Sequence, residues 1–128
     1  MRKLTLILTT LIFSLMFSPS TSFAEWKKVS EDVRGTTFYV DFERIRKHDG
    51  YVYFWELIDF LKPTEHGDLS AKTYIQGDCK KFRSKLLSGS WHKEPMGGGT
   101  GKDAKPDKEW RFPSSYETVL KSVCAYAR

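Results

Sequence analysis

The chain has 128 residues, of which 40% are hydrophobic, 29% charged and 15% aromatic. This composition fits one globular domain and excludes a disordered chain, a collagen-like chain and a polytopic membrane protein. The 21 basic residues outnumber the 16 acidic ones and give a formal net charge of +5.

The first 24 residues have the three regions of a Sec-type signal peptide. Two basic residues precede an apolar stretch at 4–17, and Ser22 and Ala24 place small residues at −3 and −1 from a cleavage point before Glu25. The stretch of about 14 residues is shorter than the roughly 20 that span a bilayer as a helix. No cysteine stands at the end of this stretch, where a bacterial lipoprotein carries the cysteine that is modified with lipid. We expect a mature domain of residues 25–128, periplasmic or secreted, with no membrane span and no lipid anchor.

Removal of the two basic residues of the signal peptide lowers the formal net charge from +5 to +3. The mature chain then opens with a predicted edge strand at 26–30. Residues 36–41 are rich in β-branched and aromatic side chains and are predicted to form a second strand. Asp41 is expected to cap a short helical turn at 42–47, which ends at a glycine turn.

The strongest strand pattern runs from Tyr51 to Leu61 and is apolar on both faces. One face carries Val52, Phe54, Ile58 and Phe60, and the other carries Tyr51, Tyr53, Trp55 and Leu57. Such a strand belongs in the centre of a sheet. We expect a helix over one face, while the tyrosine and tryptophan side meets a ligand, a partner chain or partial cover.

The following segments read as further strands and loops. Residues 69–75 are extended and are expected to end in a tight turn at 76–78. Residues 80–92 suit either a helix or a strand, and we favour a strand because 69–75 needs an antiparallel partner. Four glycines and two prolines at 94–107 predict a flexible loop without packing, before a short extended piece at 109–112.

The last predicted element is a helix. Ser114 and Glu117 have the spacing of a capping box. One helical stripe then holds Tyr116, Val119, Leu120, Val123, Cys124 and Ala127. The predicted fold is α+β: an antiparallel β-meander of about five to six strands with a C-terminal α-helix packed on one face.

Cys79 and Cys124 are the only cysteines. In an exported chain, pairing is the economical interpretation, and a bond across 45 positions would stabilise the fold by about 4 kcal/mol at most. Intermolecular pairing and a reactive thiol remain as alternatives. Neither a Cys-x-x-Cys motif nor a nearby histidine indicates redox or nucleophilic chemistry.

The sequence contains no recognisable catalytic motif. The glycines at 97–101 precede Lys102, but Met96 and Asp103 stand where a phosphate-binding loop needs glycine and serine or threonine. We therefore expect a solvated hinge or a mobile lid there. Glu56 and Asp59 lie three apart on a strand and point to opposite faces, which argues against paired-carboxylate catalysis.

The histidines do not form a recognisable metal motif. A zinc site from His66, Asp68 and His92 would need a coincidence of tertiary structure. We expect no enzyme activity, no metal and no cofactor.

The basic residues form one candidate stripe. On a strand, Lys81, Arg83 and Lys85 share a face that suits an anionic glycan, lipopolysaccharide or an acidic protein. The alternative is a solvated face whose charges meet nearby acids. Export removes nucleic acid as a partner.

A series of landmarks resembles the surface-adhesin protein E family of Gram-negative bacteria. They are, in chain order, Trp26, Phe38-Tyr39-Val40-Asp41, Ile45, Trp55, Ser70, Asp78-Cys79, Arg83, Trp110 and Val123-Cys124. The resemblance implies a sheet of antiparallel strands with one helix on its back, joined by a disulfide. It also implies adhesion, since the family's named member is an outer-membrane lipoprotein that binds host matrix and serum proteins. This chain departs from that member because it has no lipobox.

These observations favour a non-enzymatic exported binding module for an unassigned protein or glycan. Tyr51, Tyr53 and Trp55 are the candidate contacts, although the same side chains suit a homodimer interface. The competing hypothesis is a periplasmic small-molecule carrier or enzyme with the Gly97–Gly101 loop as a lid.

Overall fold

The computed structural model describes residues 24–112 and 118–128. Within them, seven strands form one antiparallel sheet that is joined to one α-helix. The strands are β1 (Lys27–Glu31), β2 (Thr37–Val40), β3 (Arg46–His48), β4 (Tyr51–Asp59), β5 (Ser70–Asp78), β6 (Arg83–His92) and β7 (Gly101–Asp103). Helix α1 spans Thr118–Tyr126. Residues 1–23 of the predicted signal peptide and the predicted capping box lie outside the described residues.

Strand β4 is central, as its two apolar faces predict. The sheet order is β1-β2-β4-β5-β6-β7, and β3 also pairs with β4. Strand β2 pairs with the end of β4 and β3 with its beginning, so the two lie end to end along one edge of β4. The predicted meander is confirmed, and the segment at 80–92 forms a strand, as favoured, from Arg83 to His92.

Helix α1 covers one face of the sheet. Val119, Leu120 and Val123 of the helix are buried against Val40, Val52 and Phe54. Full burial of side chains of this size stabilises a fold by about 1.5–3 kcal/mol each. Gly77 of β5 lets the helix approach, because a Cβ there would lie 2.8 Å from Leu120 Cδ1. Helix α1 and these strand residues therefore form the buried core, and a cavity of about 280 Å³ lies farther along the same face, beside Ile58, Ile75 and Leu86.

Cys79 and Cys124 form an intramolecular disulfide with their Cα atoms 5.7 Å apart. It joins the turn between β5 and β6 to the buried side of α1. The predicted pairing of the two cysteines is confirmed.

The structure corrects the prediction for residues 42–47. Only Phe42–Arg44 forms a 3₁₀ turn, Asp41 makes no side-chain cap, and Arg46–His48 is extended. Extended backbone prevails because β4 presents unpaired amide and carbonyl groups at Tyr51–Tyr53, and β3 satisfies them.

The turn predicted at 76–78 is also misplaced. Strand β5 runs through Asp78, and the chain reverses at 79–82. The Asp78 carboxylate accepts hydrogen bonds from the backbone amides of Lys80 and Lys81 at 3.1 and 3.2 Å. Phe82 then closes the turn with a positive φ of 49°. The turn depends on the aspartate side chain, which shifts it beyond the glycine.

The loop predicted at 94–107 is not a flexible segment without packing. Gly101–Asp103 forms β7 beside β6. Farther along, the Asp107 amide donates to the Leu86 carbonyl at 2.9 Å, and the Asp107 carboxylate accepts from the Leu86 amide at 2.9 Å. This segment borders β6 because it supplies backbone partners that the last long strand would otherwise lack.

Candidate binding face

The sheet face opposite α1 carries a group of aromatic rings. Side chains that are directly opposite in an antiparallel pair share a face, so Trp55 of β4 lies beside Tyr74 of β5. Their ring centroids are 4.9 Å apart, and those of Tyr53 and Tyr74 are 6.3 Å apart. Tyr51 and Trp110 form a further pair at 5.5 Å. We call these five side chains the aromatic face. All are only half-buried, so the face remains accessible.

Two cations lie at one end of the aromatic face. The Arg83 guanidinium is 4.3 Å from the centroid of the Trp110 ring, and Lys85 Nζ is 5.2 Å from it. Both distances are within the range of cation–π attraction. We call Arg83, Lys85 and Trp110 the basic edge. Lys81 does not belong to it, contrary to the sequence-based expectation, because it lies in the turn before β6 begins at Arg83.

Arg83 is held in place by Asp78, which is 5% exposed. Arg83 Nε donates to Asp78 Oδ2 at 2.9 Å. Burial acts to raise the pKa of the Asp78 carboxyl, but hydrogen bonds from the Lys81 amide and the Arg83 guanidinium outweigh it, together with the Arg83 charge and the Lys80 amide. They hold this pKa below its ordinary value.

The lowered pKa of Asp78 makes the fold sensitive to acid. Since the folded carboxyl binds a proton less readily than the unfolded one, its stabilisation is complete above the unfolded-state pKa of about 3.9. The stabilisation is lost as the pH falls through the lower folded-state pKa. We expect the unfolding free energy to fall more steeply below about pH 4 in the wild type than in Asp78→Asn. Urea unfolding of both proteins across this range checks it, and parallel pH profiles would contradict it.

The 93–99 loop is tied to the same sheet face by buried polar groups. Ser70 Oγ donates to the Glu94 carbonyl at 2.6 Å and accepts from the Gly97 amide at 2.8 Å. The Met96 amide donates to Asp59 Oδ1 at 2.8 Å. The expected hinge or mobile lid is therefore wrong, because Ser70 is fully buried and engages both sides of the loop.

His92 fixes the next turn of this loop. Nδ1 lies 3.1 Å from the Gly98 carbonyl and Nε2 lies 2.7 Å from Ser90 Oγ. Because a carbonyl only accepts, Nδ1 donates to Gly98, and Nε2 forms a hydrogen bond with the serine hydroxyl. His92 is 3% exposed and has both ring nitrogens engaged. Its role is structural.

The loop and the sheet enclose a groove beside the aromatic face. Its volume is about 540 Å³, and its walls are formed by Ala24, Trp26, Asp41, Arg44, Trp55, Lys72, Ser90 and Met96. We call it the tryptophan groove. Only Trp55 was a candidate from the sequence. Trp26, Lys72 and Met96 come from different parts of the chain. Strand register brings Lys72 to this face, because Lys72 lies opposite Leu57 of β4, and Trp26 directly precedes β1.

A buried carboxylate lies at the base of the groove. Asp41 is 1% exposed, and neither of its carboxylate oxygens accepts a hydrogen bond. Asp41 forms an ion pair with Arg44, whose Nε lies 3.4 Å from Asp41 Oδ2. The Arg44 side chain itself remains 39% exposed.

The structure does not bring the residues of the candidate metal site together. Across 24–112 and 118–128, no three His, Cys, Asp or Glu side chains are grouped so that they could hold a metal ion. Asp68 instead pairs with Lys93, which also donates to the His66 carbonyl. In the same part of the chain, no helix is long and apolar enough to cross a membrane.

Comparison with known proteins identifies the fold. One crystal form of Haemophilus influenzae protein E matches with a TM-score of 0.61 at 17% identity, covering 86% of this chain and 95% of that chain. Another structure of that protein gives 0.57 at 17% identity, with 84% and 89% covered. Protein E from non-typeable Haemophilus influenzae gives 0.52 at 16% identity, with 84% and 77% covered. A comparison with curated proteins gave no match.

The sequence also matches the family model for surface-adhesin protein E over residues 26–125. This range includes every landmark on which the resemblance was based, from Trp26 to Cys124. The resemblance is confirmed, and the chain belongs to the surface-adhesin protein E family.

Proposed function

We propose that this protein is a non-enzymatic exported binding module that holds a protein or an anionic glycan against its aromatic face. The observation that carries the proposal is the asymmetry of the sheet. Helix α1 packs on one face and buries Val40, Val52 and Phe54, whereas the other face presents five half-buried aromatic rings. The surface-adhesin family supports a partner in the envelope or host matrix. The mature domain begins at Glu25 and acts in the periplasm or the medium.

The chemistry of the aromatic face suits this role. Tyrosine and tryptophan bury large apolar areas and still offer a polar atom to a ligand, which explains their enrichment in interfaces. The Tyr53 hydroxyl already accepts a hydrogen bond from Gln76 Nε2 at 3.1 Å, and this bond fixes the ring. Arg83 and Lys85 add positive charge at one end of the face. The surface therefore combines apolar contact with attraction for acidic groups.

Binding to immobilised heparin and to immobilised extracellular-matrix proteins tests the proposal. We expect heparin binding to weaken as the salt concentration rises, because dissolved ions screen the attraction between the basic edge and the anionic groups of heparin. Lys85→Glu reverses a charge on the basic edge and should weaken binding at least tenfold. Lys121→Glu is the matched control, since Lys121 is exposed on α1. Equal losses in the two variants, or no binding by the wild type to either surface, would contradict the proposal.

A homodimer through the sheet remains a prediction for the same face. Light scattering of the wild type and of a Tyr53→Ala/Trp55→Ala variant decides the matter. A dimer mass that falls to the monomer mass in the variant supports pairing through the aromatic face. A monomer mass for both proteins would exclude it.

A further inference from the structure

We propose that the tryptophan groove is a subsite for one acidic sugar, whose ring lies against Trp26 and Trp55 and whose carboxylate or sulfate lies beside Lys72 and Arg44. This inference rests on the proposed function in one respect, namely that the face opposite α1 is the binding face. It adds a ligand class and a location distinct from the basic edge. The groove volume of about 540 Å³ falls within the range typical of small-molecule sites.

The charges at the groove favour an anion over a cation. Lys72 and Arg44 line it together with a single carboxylate, that of Asp41. Asp41 is 1% exposed and its oxygens are shielded, so a cationic ligand has no accessible carboxylate to contact there. Arg44 is partly accessible, and its guanidinium lies 3.4 Å from the buried Asp41 carboxylate. The groove therefore presents excess positive charge to a ligand.

The Lys72 side chain is confined by the 93–99 loop. Gly97 has a φ of +71°, and a Cβ there would lie 3.0, 3.1 and 3.2 Å from three carbons of the Lys72 side chain. The 93–99 loop thus confines the aliphatic stem of Lys72 against the sheet. Within the described part of the chain, its ammonium makes no ion pair. A confined, unneutralised ammonium loses less side-chain freedom when it binds an anion.

The remaining walls suit the body of a sugar. A pyranose ring has an apolar C–H face, which gains free energy when it is covered by an indole ring. Trp26, Trp55 and Met96 supply apolar surface, and Ser90 supplies a hydroxyl. Fixed apolar walls with a few convergent polar groups are the usual composition of a small-ligand site.

Calorimetry with an unsaturated heparin disaccharide tests the inference, with lactose as the uncharged control of similar size. We expect the wild type to bind the acidic disaccharide. Its affinity for lactose should be at least tenfold lower. Lys72→Met keeps an apolar stem but removes the charge, and it should weaken binding of the acidic disaccharide about tenfold. Gly97→Ala should also weaken it, because the new methyl group displaces Lys72. A thermal melt confirms that each variant is folded.

Lys85→Met is the matched control, because it removes a lysine from the basic edge and leaves the groove intact. It should weaken binding of long heparin chains but not of the disaccharide.

Equal affinity for lactose and the acidic disaccharide, or unchanged affinity in Lys72→Met, would overturn the inference. So would an acidic tetrapeptide that binds through Lys72 when the disaccharide does not. If long heparin binds and the disaccharide does not, the subsite fails while the proposed function stands; if neither heparin nor matrix protein binds, the proposed function itself fails.

Discussion

Replacing both Cys79 and Cys124 with serine is expected to lower the free energy of unfolding by about 2–4 kcal/mol. The disulfide closes a loop of 45 positions and ties the β5–β6 turn to α1. Small domains have a total stability of about 5–15 kcal/mol, so this loss is a large part of the whole. Urea unfolding of the oxidised wild type and the double variant measures it.

The reduced wild type is the matched control for the double variant. Since reduction removes the same covalent link without changing a side-chain position, its unfolding midpoint should agree with that of the double variant. A double variant as stable as the oxidised wild type would show that α1 is held by packing alone.

The second large effect is expected for Phe54→Ala, with a loss of about 3–5 kcal/mol. Phe54 is 1% exposed and packs among Val40, Val52 and the buried side chains of α1. Truncation leaves a cavity that the sheet cannot collapse to fill. The unfolding midpoint in urea, with an unchanged slope, checks this expectation.

Tyr53→Ala is the matched control because Tyr53 is the preceding residue and points to the opposite face. It is half-buried and loses the ring contact with Tyr74 and the hydrogen bond from Gln76, so a smaller destabilisation is expected. Equal losses for Phe54→Ala and Tyr53→Ala would contradict the assignment of Phe54 to the core beneath α1 and of Tyr53 to the accessible face.

The sheet could be predicted where the side-chain pattern itself determines the structure. The alternation from Tyr51 onward identifies β4 as central, and the stripe from Val119 to Cys124 identifies the helix that covers it. The errors lie where backbone pairing or a single side chain prevails over local propensity. Residues 46–48 become a strand because β4 needs a partner, and Asp78 moves a turn beyond Gly77.

The binding face could be predicted only in part. Tyr51, Tyr53 and Trp55 lie on one strand, so their alternation shows that they share a face. Trp110 and Lys72 join them through tertiary contacts that no local pattern records. The loop that confines Lys72 is fixed by Ser70, which lies 24 and 27 positions from its two loop partners. A glycine-rich sequence alone therefore suggested mobility where the fold imposes order.

Hydroxyl-radical footprinting with bound heparin tests the central claim, that ligand binds the aromatic face, most directly. Tryptophan and tyrosine side chains report their own exposure to the radical. Bound heparin is expected to reduce the oxidation of Trp55 and Trp110, while Tyr126 on α1, which is 60% exposed, should be oxidised at the same rate. Protection of Tyr126 with no change at Trp55 and Trp110 would contradict the account and assign binding to the helix side.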